Sequence, residues 1–360
     1  MDYLRRVFTK RQRINLYISA GVLVIFFVIL FIGVGLSKKQ EAQKAAQRWS
    51  DSGDYAQVSV YFSELMGASE NTVKEIDFNV DSKLDNDSLV EENPNARRRI
   101  SAYSALGEVD ISTGNSSAKL KAVGVGGDFF LFHPYELVNG NYFTEDNPNK
   151  DQVLIDEEAA WTLFGSNDVC GQVVEISGKR HVVSGVYKRD TGRLNKLAGN
   201  DVSTVYLSYE SLKNYGRITY LNCYEVLTLN PLTGYVRDTL TESIPGKDES
   251  KFTVVENTGR FHWTGLLKNG FKYAERSMNS KAVVYPFWEN MARGMEDILT
   301  PLVFVDLLLI LYVFVNLAIL FIRMWHNRTI HKADIKNFLN KKLEEYRKNR
   351  KKKLEEGDLI

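Results

Sequence analysis

Cysteine is scarce in this chain of 360 residues, which contains only Cys170 and Cys223. Neither lies in a C-x-x-C pair, and no cluster of cysteine and histidine has the spacing of a zinc site. The sequence therefore predicts no bound metal. A disulfide between the two cysteines and two unpaired thiols in packed sites are both compatible with this pattern.

The motifs of nucleotide binding and of common hydrolases are also missing. The string Gly124-Val125-Gly126-Gly127 is rich in glycine, but a phosphate-binding loop requires G-x-x-x-x-G-K-[ST], in which backbone amides and a lysine surround the phosphates. The chain contains no such string, and the glycines are interpreted as a tight turn. G-x-S-x-G and H-E-x-x-H are absent too. His133, His181 and His262 are isolated from one another, so we predict neither an enzyme nor a bound cofactor.

Charge of one sign is not in excess, because the net charge is +1, and this argues against nucleic acid as a partner. Mean hydropathy is slightly negative, yet the average conceals two strongly apolar runs, 14–36 and 299–322. Each is long enough to cross a bilayer core about 30 Å thick. A cleaved signal peptide is the alternative for the first run. Its apolar region would be only about 7–15 residues long, and residues 33–37 form a poor cleavage site, so an uncleaved transmembrane helix is predicted.

Basic residues flank both apolar runs. Residues 1–13 contain five basic side chains against one acid, and Arg323, Arg328 and a tail rich in lysine and arginine follow the second run. By the positive-inside rule, both ends are predicted to be cytoplasmic. The predicted order is a cytoplasmic N-terminus at 1–13, transmembrane helix 1 at 14–36, an extracytoplasmic domain with helical stalks at 37–298, transmembrane helix 2 at 299–322 and a basic cytoplasmic tail at 323–360.

Helical and strand patterns mix between the two runs without strict alternation. Residues 37–50 are rich in helix formers and are predicted to extend the first span outward as a stalk. A helix is also predicted to begin with Pro231 at its first position and to bury Leu232. Val73, Ile76, Val80 and Leu84 share the face of another predicted helix. Strands are predicted at 55–62, 100–111, 118–125, 203–207, 221–229 and 252–255. The mixture indicates the α+β class.

Residues 121–189 carry the most specific pattern. An apolar run ends at Gly126-Gly127-Asp128, and a turn signal follows at Asn139-Gly140-Asn141. Asp156 is placed as the N-cap of a short helix that ends at Gly165 and directs Leu163 and Phe164 into the core. Strands are predicted at 152–155 and, as a hairpin, at 172–176 and 181–186.

This order resembles the periplasmic core domain of MacB-type ABC transporter permeases, a group that includes FtsX-like permeases. The matching positions are turns and core residues rather than catalytic groups. They are Val123-Gly124-Val125, L-x-x-G-x-x-F at Leu137, Gly140 and Phe143, the strand 153–155, A-x-x-L-F-G at Ala160, Leu163, Phe164 and Gly165, Gly171-x-x-Val174, and the strand 182–186. The resemblance implies an α+β MacB-like core between two transmembrane helices, in a transport or efflux protein of a prokaryotic plasma membrane.

Permeases of this type have four spans, one before the outer domain and three after it, and pass ATP-driven motion to that domain. This sequence has one span after the domain, which predicts an accessory or shortened permease-like subunit. Its implied partners are a separate ABC ATPase that binds the ATP, a fuller permease subunit, an adaptor protein and membrane lipids. The alternatives are a two-span polysaccharide co-polymerase, whose outer domain would be rich in long helices, and a ligand-binding sensor, which would need an output domain that the tail cannot hold.

Polar residues within the second run are the candidate partner contacts. Asp306 and Asn316 are ten residues apart, so they lie about 80° apart around a helix and border one broad face. Lipid penalises such a face, whereas a neighbouring helix accepts it. Arg323 is predicted to fix the depth of this helix at the inner interface.

The tail is predicted to form an amphipathic helix that lies on an anionic membrane face or against a partner. A solvated helix is the alternative. The apolar positions of this helix are Ile335, Phe338, Leu339, Leu343 and Tyr346.

Overall fold

The computed structural model describes residues 9–50, 52–89, 97–144, 147–246, 248–271, 283–326, 336–348 and 350. The chain divides into two compact units, Gly35–Thr300 and the two segments that flank it. The unit Gly35–Thr300, called the outer domain below, combines a large sheet with short helices. The predicted α+β class is confirmed.

The α-helices described between residues 10 and 326 are numbered in order of sequence. They are α1 (Lys10–Lys38), α2 (Ala45–Trp49), α3 (Glu70–Asn86), α4 (Phe129–Phe132), α5 (Glu157–Phe164), α6 (Arg193–Ala198), α7 (Tyr209–Asn214), α8 (Tyr235–Ser243), α9 (Trp263–Gly270) and α10 (Phe287–His326). The strands are β1 (Tyr55–Phe62), β2 (Arg99–Ser112), β3 (Ser117–Gly127), β4 (Leu137–Gly140), β5 (Gln152–Asp156), β6 (Val173–Ile176), β7 (Lys179–Tyr187), β8 (Thr204–Ser208), β9 (Cys223–Leu229) and β10 (Phe252–Glu256).

The ten strands form one sheet in the order β10-β1-β9-β2-β3-β8-β5-β7-β4. The pairs β3–β8 and β5–β7 are parallel, and the other pairs are antiparallel. Strand β6 pairs with both β2 and β7. The strands β2, β3, β8, β5, β7 and β6 therefore close a ring of pairings, while β9, β1 and β10 continue the sheet from β2 as an open wing.

One face of the open wing packs against α3 and α8. Alternate residues of β1 point to this face, and the predicted face of α3, from Val73 to Leu84, is buried opposite them. Val236 and Leu240 of α8 join the same core. Period-2 burial on the strand and 3.6-residue burial on the helices build this layer.

The ring encloses a second apolar core, against which α5 packs. Asp156 accepts a hydrogen bond from Ala159 N at 2.8 Å and so caps α5 as predicted. Gly165 ends the helix with a φ of 71°, a conformation that favours glycine. Leu163 is buried in this core as predicted, and Phe164 is half-buried and packs against it.

Two predictions need correction, and the structure decides between the two alternatives for the cysteines. The predicted helical stalk at 37–50 is broken, because α1 ends at Lys38 and the separate helix α2 buries Ala45 and Ala46 in a core beside the sheet. The helix α8 begins at Tyr235 after Gly234, so Pro231 is not its first residue, and Leu232 is exposed. Of the two alternatives for the cysteines, the structure has both unpaired.

The flanking segments contain most of α1 and α10. Both helices are long and apolar enough to cross a membrane by length and composition. Residues 336–348 of the tail are helical, as predicted. Arg328, Ile335 and residues 1–8 lie outside the described residues, and the domain boundaries derived from the sequence stay predictions.

Candidate coupling site at the start of the second apolar helix

The second face of β1 is polar and fully buried. Its sequence, YAQVSVYF, directs Gln57, Ser59 and Tyr61 to the side opposite the apolar core, and all three have no exposed surface. Polar residues at alternate strand positions usually face water. Here two chain segments cover them, one after α1 and one at the start of α10.

The segment after α1 is held by the side chain of Gln57. The Nε2 of Gln57 donates to the carbonyl of Ala42 at 2.7 Å, and its Oε1 accepts from Ala45 N at 2.9 Å. Arg48 of α2 also donates to the carbonyls of Leu131 and Phe132, at 2.7 and 3.2 Å. Hydrogen bonds therefore hold the segment after the first apolar run against β1 and α4. A free helical stalk would lack these contacts.

The first turns of α10 carry three charged residues that face the same side. Glu289, Arg293 and Glu296 are spaced at i, i+4 and i+7, which places them on one face of a helix. Arg260, from the loop after β10, grips Glu289 through two bonds of 2.6 and 3.0 Å. It also contacts Glu296 at 2.7 and 3.3 Å, and Arg293 binds Glu289 at 2.7 Å. These four side chains, called the junction cluster below, are at most 4% exposed.

A chain of hydrogen bonds links the junction cluster to the middle of the sheet. Asn257 accepts from Arg260 at 3.4 Å and donates to Ser59 Oγ at 2.7 Å. Ser59 donates to Glu225 of β9 at 2.8 Å, and the other oxygen of Glu225 contacts His133 Nε2. The ring of His133 lies 4.5 Å from that of Trp288, which is itself part of α10.

Electrostatics favour the charged forms of Glu289 and Arg260 in the junction cluster. Burial favours the neutral form of Glu289, but the charges of Arg260 and Arg293 outweigh it, so the pKa of Glu289 is lowered. Burial likewise favours neutral Arg260, but Glu289 and Glu296 raise the pKa of its guanidinium well above the ordinary value. Two cations and two anions balance, and Tyr61 adds a hydrogen bond of 3.2 Å to Glu289.

The ion pairs of the junction cluster hold the start of α10 in a fixed position relative to the loop after β10. Arg260 offers a rigid planar fork that matches carboxylate geometry, so its two bonds to Glu289 fix both distance and orientation. Within the described residues, no group of histidine, cysteine and acidic side chains is arranged to hold a metal ion. Of the histidines that the sequence shows as isolated, His133 forms a hydrogen bond with Glu225 and His181 forms one with Tyr215.

The residues predicted to contact a membrane partner all lie on α10. Asp306 is buried, and its Oδ1 has no hydrogen-bond partner among the described residues. Asn316 donates to the carbonyl of Tyr312 at 3.0 Å within the helix, and Arg323 is exposed. Their role as partner contacts stays a prediction.

Sequence reasoning missed the junction cluster. Its signal was the spacing of Glu289, Arg293 and Glu296, a charged face just before the apolar run. Its counterpart, Arg260, lies in the loop after β10, and no local sequence rule connects it to α10.

Comparison with known families decides the identity of the outer domain. The family model of the MacB-like periplasmic core domain matches residues 16–236, which is more than half of the chain. The chain belongs to this family. The match begins inside the first apolar run and ends in α8, so it covers most of the sheet. The MacB-like family is one of ABC-type transporter permeases, and together with the two apolar helices it indicates a membrane protein with an extracytoplasmic domain.

Solved structures of related domains are similar to this MacB-like chain at low identity. The extracellular domain of the noncanonic ABC-type transporter YknZ from Gram-positive bacteria is 15% identical, covers 55% of this chain and 99% of its own, and has a TM-score of 0.36. The periplasmic region of MacB from Actinobacillus actinomycetemcomitans is 16% identical, with 56% and 89% covered and a TM-score of 0.38. A search of curated proteins gave no match. The family match alone carries the assignment.

Proposed function

We propose that this protein is a permease-type subunit of an ABC transport assembly in which α10 passes movement of the membrane segment to the outer domain. The observation that carries the proposal is the junction cluster, because it fixes the start of α10 to the open wing of the sheet through charged bonds. If the first turns of α10 are displaced, either the sheet moves with them or buried ion pairs break. Loss of one partner of a buried ion pair costs about 3–5 kcal/mol.

The proposed topology places both ends of the chain in the cytoplasm and the outer domain outside it. The distribution of charge supports this orientation. Residues 1–13 have a net charge of +4 and residues 323–360 a net charge of +6, with twelve basic and six acidic side chains. Since the whole chain is only +1 and Asp306 is the one charge within the two apolar runs, the region 37–298 has a net charge of −8. Basic flanks favour the cytoplasmic side.

The proposed partners are an ABC ATPase and a second permease chain, because the MacB-like family is one of ABC-type transporter permeases. Purification of the tagged chain in mild detergent, followed by mass spectrometry, tests this. We expect an ABC ATPase and a second permease chain among the co-purifying proteins. Glycosyltransferases in their place would instead support the co-polymerase, and the absence of any ABC ATPase would contradict the proposal.

Asp306 and Asn316 are proposed to face the permease partner within the membrane. The double change Asp306→Leu and Asn316→Leu removes the polar face, so it should leave insertion intact while weakening co-purification of the partner. Leu308 and Phe314 are 67% and 68% exposed on the same helix, and the change Leu308→Val with Phe314→Leu is the matched control. If both double variants recover the partners equally, Asp306 and Asn316 do not contact the partner. The second span then serves only to anchor the chain in the membrane.

A further inference from the structure

The helix of the tail, residues 336–348, has one narrow apolar stripe. At 100° per residue, Leu339, Leu343 and Tyr346 fall within about 60° of one another. All three side chains are more than half exposed. An isolated helix gains only about 0.2–0.5 kcal/mol from each neighbouring pair of exposed apolar side chains, so the stripe indicates a surface that covers it.

The charges of this helix are sorted around the stripe. Lys336, Lys342 and Arg347 flank it on both sides, where their long side chains can reach past an apolar surface to a polar boundary. Lys341, Lys348, Glu344 and Glu345 lie on the other side of the helix, about 130–170° from the centre of the stripe, and their charges cancel. The net positive charge of the helix therefore lies beside the apolar stripe, and this arrangement matches the boundary between lipid tails and anionic headgroups.

The position of the helix in the chain brings it close to such a boundary. Only residues 327–335 separate it from the end of α10 at His326. Nine residues reach at most about 30 Å. If the second apolar run crosses the bilayer, the helix is tethered within that distance of the membrane surface, and binding needs little additional encounter entropy.

We propose that residues 336–348 bind the surface of an anionic membrane, with Leu339, Leu343 and Tyr346 inserted among the lipids and the three flanking cations on the headgroups. The inference goes beyond the transport role and rests only on the second run crossing the membrane. An acidic protein surface would accept the same cations, but the nine-residue tether to the second apolar run keeps a membrane surface within reach, so we propose lipid as the occupant.

The test places a polarity-sensitive fluorophore on single cysteines of the full chain in nanodiscs. The background carries Cys170→Ser, and Cys223 is buried and does not label. One variant is Leu343→Cys, on the stripe. Its matched control is Asn337→Cys, on the opposite side of the same helix. Each is measured in nanodiscs of phosphatidylcholine alone and of phosphatidylcholine mixed with phosphatidylglycerol.

We expect the label at position 343 to report an apolar environment only with phosphatidylglycerol, and the label at position 337 to stay in water in both. Changing Lys336, Lys342 and Arg347 together to Gln should weaken the docking equilibrium roughly 100-fold, since each cation near an anionic surface contributes about a factor of five. A label at position 343 that stays in water in both lipids would overturn the proposal and leave the stripe to a protein partner. An equal apolar signal in both lipids would also overturn it, because the recognition of anionic headgroups would be absent.

Discussion

Replacing Arg260 by methionine tests the junction cluster most directly. The change keeps an unbranched apolar side chain but removes the guanidinium that binds Glu289 and Glu296. Two buried carboxylates are then left with one cation, Arg293. Breaking a buried pair in this way costs about 3–5 kcal/mol. For a domain of this size, 1 kcal/mol corresponds to roughly 2–4 °C, so the midpoint of unfolding should fall by roughly 6–20 °C.

Removing the matching carboxylate should restore most of that loss. In the double variant Arg260→Met with Glu296→Leu, the cluster is again neutral, and Glu289 keeps its 2.7 Å bond to Arg293. Apolar replacements of complete buried pairs are often neutral or stabilising. Glu296→Leu alone should cost less than Arg260→Met, because Arg260 retains both bonds to Glu289.

The assay is thermal unfolding of the full chain in detergent at neutral pH, followed by circular dichroism. Arg98→Met is the matched control, since Arg98 pairs with Asp85 at 2.6 Å on the surface, where Asp85 is 68% exposed and such pairs contribute at most about 1 kcal/mol. If Arg260→Met unfolds within the range of this control, or if the double variant is less stable than the single one, the cluster does not hold α10 to the sheet.

Two other predictions concern stability. Leu163→Ala should cost about 2–5 kcal/mol because Leu163 is buried, whereas Phe164→Ala should cost less because Phe164 is half-buried; chemical unfolding of both variants compares them, and the reverse order would contradict the packing of α5. The lowered pKa of Glu289 stabilises the fold above the ordinary value near 4.5 and ceases to do so as the pH falls through the lower folded value. The difference in unfolding free energy between wild type and Glu289→Gln should therefore shrink in acid, and a difference that grows there would refute the assignment.

The elements that could be predicted from sequence are those determined by neighbouring residues. Asp156 caps α5 because its carboxylate reaches the amide of Ala159 three residues later, and Gly165 ends the helix because it adopts a positive φ. These signals lie within one turn of the chain. The apolar face of α3 was predictable for the same reason, since its residues repeat at helical spacing.

The incorrect predictions concern segments whose structure depends on contacts with residues that are distant in the sequence. Residues 37–50 have the composition of a continuous helix, but Gln57 offers hydrogen bonds to the backbone of Ala42 and Ala45, and the chain breaks to make them. Strand β1 was predicted correctly, yet its polar face was not recognised as buried. The alternation of residues in β1 is the same whether water or α10 covers that face, so local pattern alone does not distinguish the two cases.

An apolar contact between α10 and the sheet would hold the helix less specifically than the junction cluster does. Leucines on a helix face tolerate a slide of one turn, because the next leucine fills the same space. The same slide would move Glu289 about 5.4 Å along the axis, beyond the fork of Arg260. It would leave buried charges unpaired, at a cost comparable to that of Arg260→Met. The start of α10 is therefore restricted to one register on the sheet, and we expect it to move with the sheet or to detach from it as a whole.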